Sequence, residues 1–182
     1  ATSDLLPAFD ALSESQSADV CVIGAGYTGL STALHLAEAG YTVIVLEAHR
    51  IGFGASGRNG GQIASGQRVD QESLIKIAGA STADLLWDLA EESKAIVKSL
   101  IKKHKIQCYL KSGIAELGLS HYQMNNMHRY ADFLSERYGY EYNTKLDREA
   151  TYALCPSPAY YGGYIDTDAG HLHPLRFAIG LA

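Results

Sequence analysis

The stretch from Asp19 to Glu47 constrains this chain more than any other. Val20, Val22 and Ile23 are β-branched, lie next to a glycine, and predict a short buried strand. Gly24, Gly26 and Gly29 then form G-x-G-x-x-G. The first glycine serves the tight turn out of the strand. The second lets the backbone approach a pyrophosphate, and the third lets the following helix pack against the strand. The spacing predicts that helix from Thr28 to Ala39, with Leu30, Ala33, Leu34 and Ala37 on its packed side and Gly40 closing it. Its N-terminus presents N–H groups and the positive dipole end to phosphate. Thr42 to Leu46 reads as a second strand, and Glu47 stands at its carboxyl end, where an acid accepts both hydroxyls of an adenosine ribose. G-x-G-x-x-G alone is a weak signal. Strand, helix, second strand and terminal acid in this order supply the context that makes it a dinucleotide-binding unit.

The remaining composition excludes several classes. The 182 residues fit the size of one domain and are 47% hydrophobic, enough for a core. A net charge of −5 leaves no electrostatic footprint for nucleic acid. Cys21, Cys108 and Cys155 are scattered and odd in number, which points to a reducing, cytoplasmic setting and not to a disulfide framework. No apolar run reaches the length of a membrane span, and no basic segment precedes an apolar one at the start. His171 and His173 share one side of an extended segment, but no third ligand lies at useful spacing, so no metal site is expected.

A second glycine-rich stretch follows the acid, with Gly52, Gly54, Gly57, Gly60, Gly61 and Gly66 in fifteen residues. A nicotinamide domain would run directly into its next helix and strand. A second loop of this kind lets backbone lie against a large flat group and offer it N–H donors. Arg58 adds positive charge near phosphate or an anionic ring, the alternative being a surface or ion-paired arginine.

Together, the run from Ala18 to Ser31 and the run Gly52-Phe-Gly-Ala-Ser-Gly-Arg-Asn-Gly-Gly-Gln62 resemble the FAD-dependent amine oxidases of the D-amino-acid oxidase superfamily, above all its gamma-glutamylputrescine oxidase-type members. The resemblance implies an α/β fold: a Rossmann-like FAD-binding domain of that superfamily's type, with the beginning of an α+β substrate domain. The boundaries it implies are 1–111 for the first part of the FAD-binding domain, 112–168 for a partial substrate domain and 169–182 for the return. It also implies an N-terminal fragment of a longer chain. The implied cofactor is FAD. Gly24, Gly26, Tyr27, Thr28 and Gly29 would hold its pyrophosphate, Glu47 and Ala48 its ribose, and Arg50 would lie near the adenosine. Gly54, Ala55, Ser56, Gly57, Arg58, Asn59, Gly60, Gly61 and Gln62 would run beside the pyrophosphate, ribityl chain and isoalloxazine.

The rest of the chain reads as scaffold. Residues 1–18 form a polar lead-in carrying Leu5, Leu6, Phe9 and Leu12, either packed on the body or disordered. A short helix spans Asp70 to Ala78. Ser81-x-x-Asp84 opens a long one to Lys103, with Leu85, Leu86, Leu89, Ile96, Val97, Leu100 and Ile101 as its core stripe. Lys94, Lys98, Lys102, Lys103 and Lys105 read as a solvated face near the C-terminal dipole. Ile106 to Leu110 and Gly113 to Leu119 are predicted strands. Ser120 caps a helix to Tyr138, with Met124 and Met127 facing the core. Tyr140 to Asn143 and Tyr160 to Ile165 are further strands, and Asp147 caps a short helix. His173 caps a last helix that begins at Pro174.

The activity implied by the resemblance is oxidation of the C–N bond of an amine or amino acid, in polyamine catabolism for the gamma-glutamylputrescine type, with oxygen as acceptor. The alternatives are an NAD(P)-dependent dehydrogenase or a nucleotide-binding module without turnover. No catalytic side chain is assigned, and substrate identity and assembly state have no signature in these residues. The 182 residues alone are expected to lack turnover.

Overall fold

The computed structural model describes residues 9–182. In chain order the elements are β1 (Val20–Ile23), α1 (Tyr27–Glu38), β2 (Val43–Leu46), β3 (Gln62–Ile63), α2 (Gln71–Ala78), α3 (Ala80–Lys103), β4 (Lys111–Gly118), α4 (His121–Tyr138), β5 (Asn143–Leu146), α5 (Arg148–Leu154), β6 (Gly162–His171) and α6 (Pro174–Leu181). They divide into two units. Among the described residues, no helix is long and apolar enough to cross a membrane.

Of the described residues, the first unit contains 9–61, Gly66–Leu110 and Leu172–Ala182. β1 and β2 pair in parallel, Val20 opposite Val43 and Ile23 opposite Leu46, with α1 as the crossover. Asp19 sets this register. Its carboxylate accepts the Thr42 N–H at 2.8 Å and the Thr42 hydroxyl at 2.6 Å, and these bonds hold its carboxyl below the ordinary range. Leu5 and Leu6 lie outside the described residues, whereas Phe9 and Leu12 are largely exposed, Phe9 at 73%.

α3 departs from its sequence reading. It starts at Ala80 behind Gly79, whose φ is +82°, and no side chain caps it, so Ser81 falls inside the first turn. Part of the expected apolar stripe is turned outward, with Leu85 67%, Leu89 56% and Ile96 42% exposed, whereas Leu100 is buried as expected and Leu86, Val97 and Ile101 are half-buried. Beside Leu100, the buried face carries Ala83, Trp87, Ala90 and Lys94, which the stripe did not include. The small Ala83 and Ala90 let α2 approach, and the buried Gln71 of α2 donates from Nε2 to the Ala83 carbonyl at 2.6 Å. Lys94 is no surface lysine. It is buried at 4% exposure, and its ammonium meets Glu91 at 3.0 Å.

The strand expected over Ile106 to Leu110 is absent. Lys105 and Tyr109 have φ of +53° and +55°, which break an extended run, and the Cys108 N–H turns back to the Ile106 carbonyl. Ile106 and Cys108 are nevertheless buried, so the apolar pattern reported packing without reporting conformation.

The second unit contains Gln62–Ser65 and Lys111–His171. β6 is its central strand and pairs antiparallel with β3, β4 and β5. Asp166 on β6 lies opposite Ile114 of β4 and Asn143 of β5. β6 continues beyond Ile165 through Asp166–Gly170, and the Asp166 carboxylate accepts N–H groups of Asp168 and Ala169 and the Tyr140 hydroxyl. The strand expected from Tyr140 begins only at Asn143. Gly139 adopts the left-handed conformation and the Tyr140 N–H returns to the Leu134 carbonyl, so these residues close α4 first. Ser120, Asp147 and His173 cap α4, α5 and α6 as their positions foretold.

Candidate cofactor-binding site

The site builds from the end of β1. Gly29 has no room for a side chain: a Cβ there would sit 2.0 Å from the Gly24 carbonyl oxygen. That contact sets how tightly α1 packs on the turn. At Gly26 the neighbour is a side chain instead of backbone. A Cβ there would meet the Ser56 side chain, with Oγ at 3.1 Å, so the loop that carries Ser56 lies directly against the helix N-terminus. Gly26 is the N-cap of α1 and brings no side chain to cap the first N–H groups. One of them, from Tyr27, is taken by Ser56 Oγ at 2.9 Å. The N-cap residue supplies no side-chain bond to the first turn, which keeps its positive dipole end.

Glu47 closes the other side of this turn. One carboxylate oxygen accepts the Ala25 N–H at 2.8 Å and the other the His49 N–H at 2.9 Å. These backbone bonds, Ala25 first, hold its carboxyl below the ordinary range. Each oxygen keeps a second lone pair, so a ribose diol can still be accepted from solvent. The sequence singles out Glu47 as a candidate for the ribose by its place after the second strand. It did not reveal that the same carboxylate holds the glycine turn in place.

The second glycine-rich loop is tied to the first at two points. The Gly52 N–H donates to the Ala25 carbonyl at 2.9 Å, and Ser56 reaches the Tyr27 N–H. Ala55–Gly57 form one 3-10 turn, with Gly54 before it and Arg58 after it. Asn59 braces the loop from within. Its amide donates to the carbonyls of Ala55 and Ser56 at 3.1 and 3.0 Å, and its oxygen accepts the Gly61 N–H at 2.8 Å. Gly61 has φ +68°, and a Cβ there would lie 1.9 Å from the Leu172 carbonyl oxygen. Gly60 lies between these anchors. Gln62 begins β3 of the second unit, opposite His171.

Tyr27 serves the scaffold through its side chain. Its hydroxyl donates to the Pro174 carbonyl at 3.0 Å, and its ring meets Phe177 edge-on at 5.4 Å. Burial pushes its phenol up. Thr28 and Gly29 remain in the first turn of α1, while Ala48 and Arg50 follow Glu47 on an exposed segment. There a groove of about 1190 Å³ is lined by apolar Ile23, Leu30 and Val45 together with Glu47, His49 and Arg50. Residues missed from sequence are Phe53, whose ring lies beside His49, Arg50 and Arg58, and Pro174, which receives Tyr27. An aromatic between two arginines was the only available signal for Phe53. Among the described residues, no three His, Cys, Asp or Glu side chains assemble into a metal-holding group.

A parallel β-α-β turn with a helix N-terminus that its N-cap residue does not cap, an acid at the end of its second strand and a braced second glycine loop has the form of a dinucleotide-binding unit. Comparison with known proteins narrows the class. Residues 19–182 match the family described as FAD dependent oxidoreductase, DAO. Gamma-glutamylputrescine oxidoreductase of Escherichia coli is 44% identical over 174 residues, covering 96% of this chain and 41% of that protein. A probable oxidoreductase OrdL of Haemophilus influenzae is 42% identical over 174 residues, covering 96% of this chain and 40% of its own length. The chain thus spans about two-fifths of the curated relatives it matches. Among solved structures, glycine oxidase from Bacillus cereus superposes with a TM-score of 0.72 at 22% identity, covering 91% of this chain and 44% of that one. An L-alpha-glycerophosphate oxidase from Mycoplasma pneumoniae with FAD bound superposes with a TM-score of 0.66 at 18% identity, covering 92% and 42%. The chain belongs to the DAO family of FAD-dependent oxidoreductases.

Proposed function

We propose that the protein carrying this chain is an FAD-dependent oxidase that converts an amine or amino-acid C–N bond to an imine, with oxygen as electron acceptor. A gamma-glutamyl polyamine is the favoured substrate class, and the reading includes a cytoplasmic place in polyamine breakdown. The support for that substrate is likeness to the E. coli gamma-glutamylputrescine oxidoreductase. The scattered cysteines, three free thiols among the described residues, support the reducing compartment.

The observation that carries the cofactor reading is the α1 N-terminus at Gly26, which no side chain caps at the N-cap position and which stands between Ser56 and the turn that Glu47 holds. The residues fit FAD. Gly26, Thr28 and Gly29 offer backbone and dipole to the pyrophosphate, with Tyr27 N–H relayed through Ser56. Glu47 accepts the adenosine ribose, with Ala48 and Arg50 beside it. Gly54 to Gly61 line the path that leads away from the phosphates. Bound FAD supplies two-electron acceptance from the substrate and return of those electrons to oxygen. This chain's residues bind and orient it, and Asn59 keeps the loop from collapsing into the space the phosphates need.

The test is an FAD titration of the complete polypeptide, followed by peroxide detection over gamma-glutamylputrescine, D-amino acids and N-methyl amino acids. Tight FAD binding and peroxide from the first substrate are expected. Gly26→Val should abolish flavin retention while the fold persists. A Gly26→Val protein that retains flavin as wild type does would refute the pyrophosphate placement.

A further inference from the structure

The backbone turns sharply after Glu47 and gathers three side chains around one ring. The Phe53 N–H donates to the Arg50 carbonyl at 3.1 Å, which brings residue 50 back beside residue 53. The His49 and Phe53 rings lie 4.2 Å apart at an interplanar angle of 35°. The Arg50 guanidinium carbon stands 5.5 Å from the Phe53 ring centre and that of Arg58 stands 4.5 Å from it. Two like charges on one ring repel each other, and no carboxylate among the described residues pairs with either. This occurs in a chain of net charge −5 with 20 acidic residues. The two arginines are thus assembled without the counter-ion that would make the pair a self-contained salt bridge.

The pair is also placed. Its two turns are tied to the α1 N-terminus, one through the Gly52 N–H on Ala25, the other through Ser56 on Tyr27. Phe53 itself is 37% exposed, so burial alone does not account for an aromatic here. A leucine would cover the same backbone. An aromatic face does what leucine does not: it attracts guanidinium groups and restricts where they point.

We propose that Phe53 is a positioning residue, whose ring holds Arg50 and Arg58 as a paired cationic clamp for the pyrophosphate of the dinucleotide. This rests on the FAD reading above. The clamp works through charge, so FAD affinity should depend on salt, and that dependence should require the aromatic ring.

The experiment is equilibrium titration of the apo form of the complete polypeptide with FAD at low and high salt, using F53L, F53W, R58M and the F53L/R58M double variant. F53L should weaken FAD about tenfold at low salt and flatten the salt dependence, whereas F53W should stay within about twofold of wild type. In the R58M background, F53L should cost less than about half of what it costs alone, because Phe53 acts through the arginine. A merely structural Phe53 would give additive losses and an unchanged salt slope, and either result overturns the proposal. R58M carries the same test if F53L does not fold: it must flatten the salt slope with no change in apoprotein melting. Absence of FAD binding by the unsubstituted protein would overturn the FAD reading itself, which separates that failure from failure of the clamp.

Discussion

The two glycine-rich loops are tied to each other but are held by different forces. The first, Gly24–Gly29, is held by close packing: the α1 backbone at Gly29 lies so near the Gly24 carbonyl that a methyl group would overlap it. The second, Gly52–Gly61, is held largely by hydrogen bonds, chiefly the three-way bracing of Asn59 and the reach of Ser56 to α1. Glu47 joins the two modes, since it fastens the first loop through a carboxylate bond to Ala25. The first loop depends on the absence of a side chain at Gly29. The second shares that limit at Gly57 and Gly61, where a Cβ would lie 2.3 and 1.9 Å from backbone oxygens, and depends in addition on the polar groups of Asn59 and Ser56.

The largest effect should come from Gly29→Ala. Its Cβ would lie 2.0 Å from a backbone oxygen that cannot move without opening the β1–α1 turn. The expected cost is roughly 3 kcal/mol or more of stability, read as a lowered thermal midpoint. A midpoint equal to wild type would break the claim that packing holds the first loop.

Asn59→Ala should be milder and confined to the second loop. It removes the acceptor of the Gly61 N–H and two donors to loop carbonyls. A loss of about 2 kcal/mol is expected, because partly buried partners are left unsatisfied. Hydrogen exchange should quicken over 55–61 and leave 24–29 protected. Equal acceleration in both loops would show that they are one cooperative unit and end the comparison.

The smallest effect is a pH dependence. Glu47 has its carboxyl held below the ordinary value of 4.5 by the Ala25 and His49 N–H groups. A carboxyl lowered in the folded state contributes stability that is complete above that ordinary value. The contribution is lost as pH falls through the lowered one. FAD should accordingly stay bound on acidification to the ordinary carboxylate range and leave only below it. In Glu47→Gln this acid step should vanish, and FAD should bind about tenfold more weakly throughout, since an amide oxygen replaces a charged acceptor. Flavin release already complete near pH 6 would contradict the bonding seen at Glu47.

What the sequence by itself determined was whatever depends on local spacing. The β1–α1–β2 turn, the acid after it, the caps at Ser120, Asp147 and His173, and the second glycine loop are all short-range patterns, and each was legible because the residues that make it are neighbours in the chain. Tertiary structure decided what depends on partners far away in sequence. α3 buries Ala83, Trp87 and Lys94 and leaves Leu85 outside because α2 offers Gln71 and a close approach on that side, which no periodicity within α3 could report. Tyr140 closes α4 and bonds Asp166, twenty-six residues on, before any strand begins. The same holds at the site. Phe53 and Arg58 are five residues apart, but the ring meets the guanidinium only because the turn at Ala55–Gly57 folds one back over the other. A periodic pattern reports which residues are apolar. Only the packed chain settles which of them have something to pack against.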